Sequence, residues 1–152
     1  MDWYRAVHDI VPTQDRLHRI HMAATNLCRQ CNVVDNLSHR LLERDEGQVM
    51  WDWTKGRIAI ILRTTVRHTP DVWPLRPTFN IWPPKRRRAV LWILANFVAY
   101  RLQQRQSLTC QDYYDFLRRA KWKLQQRMRW HERVGNYLRV LGEVPPPGTA
   151  HT

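Results

Sequence analysis

Three side chains in the stretch NLCRQCNVVDNLSHRLLERDEGQ, residues 26–48, have the types and spacing of a metal site. Cys28 and Cys31 form a C-x2-C pair, and His39 follows eight residues after the second cysteine. Zinc takes four ligands in a tetrahedron, commonly two from such a tight turn and two from the helix behind it. No obvious ligand stands fourth. Glu43 lies one helical turn beyond His39, and Asp35, Asp45 and the distant Cys110 are the other candidates. On spacing alone a plain structural account weighs equally: two cysteines buried as small hydrophobes, and His39 on the surface.

A second kind of chemistry is carried by cations interleaved with aromatic residues. The runs WPPKRRR (82–88), RRAKWK (118–123) and RMRWH (127–131) contain Lys85, Arg86, Arg87, Arg88, Arg118, Arg119, Lys121, Trp122, Lys123, Arg127 and Arg129. Arginine pairs with phosphate bidentately, and an exposed indole stacks on an unpaired base. Eight tryptophans in so short a chain must mostly be core, so only Trp122 or Trp130 is expected at the surface. The bland alternative is a solvated, Arg-rich helical surface. The Lys85–Arg88 run also fits the weak pattern of a nuclear localisation signal.

Catalytic constellations are missing from the sequence. Asp112 and Asp115 stand at i and i+3 without the adjacent pair of a polymerase, and no acidic residue lies between Asp71 and Asp112 to complete a nuclease motif. His131-Glu132 lacks a second histidine, no Gly-rich phosphate loop occurs, and no Ser or Cys sits beside a base. The chain is expected to be no enzyme by itself and to take no small-molecule substrate.

The elements that must position these residues read as helices. Trp3, Val7, Ile10 and Val11 share one helical face, and Pro12 ends it. Thr13 caps a second helix with Asp15 in its first turn. Asp35 is placed to cap a short helix carrying His39, Leu41 and Leu42. After Gly47, QVMWDWTKGRIAIILRTTV is helical, with a break or kink expected at Gly56, which costs about 1 kcal/mol in a helix interior; a strand over RIAIIL ranks second. Residues 69–84 hold five of the nine prolines beside Trp73, Phe79, Ile81 and Trp82, so they predict an extended strap across the core. KRRRAVLWILANFVAYRLQQRQ is apolar nearly all round and predicts the central helix. Thr109 and Asp112 cap the next one, and a break near Gly135 precedes NYLRVL. EVPPPGTAHT reads as a disordered tail.

Length and composition agree with this outline. The 152 residues suit one domain over residues 1–141, with knuckle-like segment 26–48, strap 69–84, basic helices 85–141, and tail 142–152. With 43% hydrophobic residues, five glycines and long helix-favouring runs, the class is mostly α, a small helical domain. The formal charge of +12 is uneven: residues 85–152 hold 14 Lys and Arg against 4 Asp and Glu, and residues 1–84 hold 11 against 9. Such a cationic half attracts polyanions and releases their counterions on contact. Three cysteines fit a reducing compartment better than a disulfide framework. Met1 is followed by Asp2 and not by a cleavable leader, and the apolar run 89–100 is shorter than the roughly 20 residues a bilayer needs. The expectation is a soluble intracellular protein, nuclear or cytoplasmic, with no membrane partner.

Taken in order, WYRAVHDIVPTQDRLHRI, C-x2-C, DNLSHRLLE, GQVMWDW, RTTVRHTPDVW, FNIWPPKRRRAVLWILANFVAYR, LTCQDYYDFLRRAKWK and VGNYL resemble the region after the reverse transcriptase domain in non-LTR retrotransposon polyproteins, especially those of insects. The resemblance runs from about Trp3 to Leu141. It implies a zinc-binding motif C-x2-C-x7-H-x4-C, in which Cys28, Cys31 and His39 match the first three ligands. The fourth falls at Arg44, a permanent cation that cannot ligate zinc. Either Glu43 or Asp45 stands in, or the zinc site is weak or lost. The resemblance further implies a non-catalytic appendage that holds template RNA or single-stranded target DNA, with the cognate reverse transcriptase as another partner. The parent polyprotein would be an RNA-directed DNA polymerase, and this chain a fragment, a derived gene or a remnant. Docking on the polymerase or on an acidic protein is the alternative role.

Overall fold

Thr13 opens the first helix as its sequence predicts: its hydroxyl accepts the Arg16 N–H at 3.2 Å, and α1 runs Gln14–Arg19. This is a computed structural model, and it describes residues 13–63, 83–103, 108–127 and 134–149. The helix expected over residues 3–11 and nearly all of the strap lie outside those ranges. A second group caps α1 from a distance. Asp35 accepts the Gln14 N–H on Oδ2 at 2.9 Å and the Asp15 N–H on its carbonyl at 3.0 Å. Asp35 therefore caps α1, and the helical turn after it is started by Asn36, whose Oδ1 accepts the His39 N–H at 2.8 Å.

Between these points the chain doubles back once. Leu27 and Val34 form an isolated antiparallel bridge, and there is no strand among the described residues. A π-helical turn follows over His39–Glu43. Helix α2 then runs Gly47–Leu62 without a break. Gly56 is exposed with nothing near it, and Met50, Trp51, Trp53, Ile58, Ile61 and Leu62 are buried on both sides of it. Their burial outweighs the glycine penalty of about 1 kcal/mol, so neither the kink nor the alternative strand forms.

Of the predicted strap, only its last two residues are described. Pro84 is the first residue of α3 (Pro84–Arg101), where its missing N–H leaves no bond unmade. Helix α3 is central, as its composition predicts: Val90, Ile93, Leu94, Phe97, Val98 and Tyr100 are buried, and α2 packs along it. Helix α4 (Cys110–Gln125) starts at Thr109, whose hydroxyl accepts the Asp112 N–H at 3.1 Å. It is two-faced, burying Cys110, Tyr113 and Leu117.

Tyr113 anchors α4 in the core. Its ring stacks on Tyr100 at 5.2 Å and meets Phe97 and Trp53 edge-on at 5.9 Å each. Its hydroxyl lies 2.6 Å from Thr54 Oγ1. The Thr54 proton goes to the Met50 carbonyl at 2.7 Å, so Tyr113 is the donor of the pair. Two short helices, α5 (Asn136–Leu138) and α6 (Val140–Glu143), close the core with Leu138, Val140 and Leu141. The expected tail boundary moves outward. Helix α6 runs past residue 141, Trp53 Nε1 donates to the Val144 carbonyl at 2.8 Å, and Pro146 is buried. No helix among the described residues is long and apolar enough to cross a membrane.

Candidate functional site

The C-x2-C turn is shaped by its own backbone. Cys28 N–H donates to Val33 at 2.6 Å and Asn32 N–H to Cys28 at 2.9 Å, with Asn32 in the left-handed region at φ 56°. The π-helical turn brings His39 beside it. One ligand atom from each of Cys28, Cys31 and His39 lies within 4.8 Å of the other two, a group able to hold a metal ion. His39 is 2% exposed. Its Nδ1 lies 2.9 Å from Glu43 Oε2, and its Nε2 is buried with no hydrogen-bond partner. A nitrogen in that condition suits a metal, and a carboxylate on the opposite nitrogen orients the ring and raises its basicity.

None of the four acids and thiols that the sequence offers as a fourth ligand belongs to the group of three. Glu43 holds His39 and so supports a ligand instead of being one. Asp35 is buried in a pair with Arg40, Oδ2 to Nη2 3.0 Å. Asp45 lies 3.8 Å from Arg44 Nε and 3.5 Å from the Leu108 N–H, outside the three-residue group. Cys110 N–H donates to Glu46 at 2.8 Å, and burial with the neighbouring Glu46 charge pushes the Cys110 thiol up to about 11. That thiol is buried and lies outside the three-residue group.

Arg44 lies against the cysteine turn. Its Nε donates to Gln30 Oε1, between the two cysteines, at 3.1 Å. Burial alone raises the Cys28 thiol, but the backbone N–H groups of Cys31 and Gln30, with the side chains of His39 and Cys31, bring it below its ordinary value. Cys31 moves up, through desolvation first and then the charge of Cys28, with Arg44 pulling the other way. The charge of one thiolate thus disfavours ionising the other.

The basic residues singled out by the sequence fall at the start of α3 and along the second half of α4 and just past it. A short connection turns α3 into α4, and Tyr100 pairs with Tyr113 and Phe116, so the two helices are antiparallel neighbours. Lys85 and Arg88 are exposed and Arg86 and Arg87 half-buried, with the Arg86 guanidinium 5.8 Å from the Tyr137 ring centroid. Arg118, Arg119, Lys123 and Arg127 are exposed, and Trp122 is 61% exposed as its setting predicts. Lys121 is half-buried, and desolvation followed by the charge of Arg139 lowers its pKa. Arg129 and Trp130 lie outside the described residues.

Two contributors escape sequence reasoning. Arg101 reads as an ordinary cation at a helix end, yet it is buried and donates to the carbonyls of Leu41 (2.8 Å) and Arg44. Arg139 reads as one more surface arginine. Neither carries a local signal, because each matters through a residue far away in sequence. No protein-family model matches the chain, and no curated protein or solved structure is significantly similar to it.

Proposed function

We propose that this chain is a non-catalytic domain that binds single-stranded nucleic acid, in keeping with its resemblance to the segment after the polymerase in non-LTR retrotransposon proteins. One observation carries the reading: Trp122 is 61% exposed, flanked by Lys121 and Lys123 and one turn from Arg118. An exposed indole among cations adds nothing to a core, whereas it stacks on bases while the cations hold phosphates. The metal of the knuckle is zinc on this reading, since thiolate and imidazole donors select it. Cys28, Cys31 and His39 Nε2 would hold it, and the metal would tie the loop to the π-helical turn. With three protein ligands and Arg44 beside them, the site holds zinc weakly. Template RNA or target DNA would be retained by the cations around Trp122 while a separate polymerase acts on it.

The test is a salt titration with unstructured RNA and DNA oligonucleotides. Affinity should fall linearly on a log–log plot, with a slope of about −0.7 per phosphate neutralised. A flat response, or no binding at low salt, overturns the reading. Tight binding to a polymerase fragment, with polyanions competing regardless of strandedness, points instead to a protein-docking role.

A further inference from the structure

The second half of α4 is the crest between two grooves. One, of about 660 Å3, lies on its α6 side, where Tyr114, Arg118, Lys121 and Trp122 meet Leu141 and Gly142. The other, of about 530 Å3, lies between α3 and α4, with Trp92 and Asn96 across from Arg119, Lys123 and Arg127. Arg119 and Lys123 line both.

The grooves differ in what they offer. On the α6 side, the Tyr114 ring is already engaged, by Arg118 at 5.8 Å and edge-on by Trp53 at 6.2 Å. Trp122 is the exposed aromatic surface there. Lys121 lines this groove, and desolvation followed by the charge of Arg139 disfavours its cation, which a phosphate beside it would relieve. Asp115 is the carboxylate lining this groove, and it accepts from Gln111 Nε2 at 3.1 Å. On the α3 side, Arg119 and Lys123 stand four residues apart on α4, a rise of about 6 Å, and Arg127 follows just past the helix end. Asn96 Nδ2 donates to the Trp92 carbonyl at 2.8 Å, and three cations line that groove.

We propose that a nucleic-acid strand crosses α4 instead of following it, with an unpaired base stacked on Trp122 in the α6-side groove and the adjoining phosphates passing over Arg119 and Lys123 to Arg127. This rests on the single-strand reading above and adds the path and the base contact. A duplex cannot follow the path, because its base faces are stacked inside. An acidic peptide would use the cations and leave the indole idle. RNA and DNA offer the same faces and phosphates.

The full chain is titrated with oligo-dT, oligo-U, the dT duplex and an abasic phosphodiester of equal length. Trp122→Ala should weaken oligo-dT and oligo-U on the order of tenfold and leave the abasic strand unchanged. Trp122→Phe should restore most of the loss. Arg119→Ala with Lys123→Ala should weaken all three single strands. Circular dichroism checks that each variant keeps its helices. Equal binding of abasic and base-bearing strands by the unmodified chain overturns the base contact while leaving nucleic-acid binding intact. Equal binding of the duplex, or equal competition by polyaspartate, also overturns it. Failure to bind any of the four ligands overturns both this inference and the reading beneath it.

Discussion

At the scale of single residues, the knuckle turns on what surrounds His39. Glu43 takes Nδ1, so the nitrogen left to meet a metal is Nε2, buried and without a hydrogen-bond partner. Arg44 sits against the cysteine turn by way of Gln30, and its main chain is held independently, with Arg44 N–H donating to the His39 carbonyl at 2.9 Å. A cysteine at position 44 would keep that backbone and supply the absent thiolate. The unmodified chain, purified without chelator and dialysed, should hold substoichiometric zinc, and Arg44→Cys stoichiometric zinc, measured by metal analysis. Adding Glu43→Gln to that variant should weaken its zinc affinity about 10–100-fold, the usual effect of losing an orienting carboxylate. Stoichiometric zinc in the unmodified chain would show that three protein ligands and a solvent molecule are enough.

Between elements, the decisive contact is the corner where the π-helical turn meets α2. The turn ends in carbonyls that need donors, and Arg101 at the end of α3 supplies them to Leu41 and Arg44. Burial lowers Arg101 to about 10, partly offset by Asp45, so it stays charged at neutral pH. The guanidinium fits because residue 47 has no side chain. A Cβ there would meet Arg101 Nη2 at 2.6 Å and the Leu42 carbonyl oxygen and carbon at 2.8 and 2.9 Å. The guanidinium can swing aside but the Leu42 backbone cannot. Gly47→Ala should therefore cost about 1–3 kcal/mol, seen as a lower urea midpoint with unchanged slope. An unchanged midpoint would mean that the corner is looser than its geometry.

For the molecule as a whole, one buried ion pair joins the first helix to the knuckle. Asp35 receives Arg40 Nη2 and the Gln14 N–H. Burial by itself raises its pKa, but the hydrogen bonds and the charge of Arg40 outweigh that and leave it below the ordinary value. A carboxylate whose folded pKa is depressed stabilises the fold when ionised. That contribution is complete above about pH 4, the unfolded value, and is lost as pH falls through the lower folded value. Asp35→Asn should cost about 3–5 kcal/mol at neutral pH, because Arg40 stays buried without its counter-charge. The variant should also lose part of the decline in stability below pH 4. Urea unfolding at neutral and acid pH, compared between the two proteins, checks both, and parallel pH profiles would remove Asp35 as the cause.

By itself the sequence determined what acts over a few residues. Thr13 and Thr109 cap where they are expected to, the apolar run after Lys85 becomes the central helix, and Trp122 stands out among its cations. The grouping of Cys28, Cys31 and His39 was also legible, since a C-x2-C turn and a histidine eight residues on are joined by local chain geometry. Tertiary structure decided the rest. Periodicity could not say that Glu43 would hold a ligand, that Asp35 would cap α1, that α2 would run straight through Gly56, or that Trp53 would retain the chain at Val144. The physical reason is common to all of these. Caps, turns and helical faces depend on neighbours along the chain, whereas the partner of a buried charge or ring nitrogen is whatever packing places next to it once water is gone.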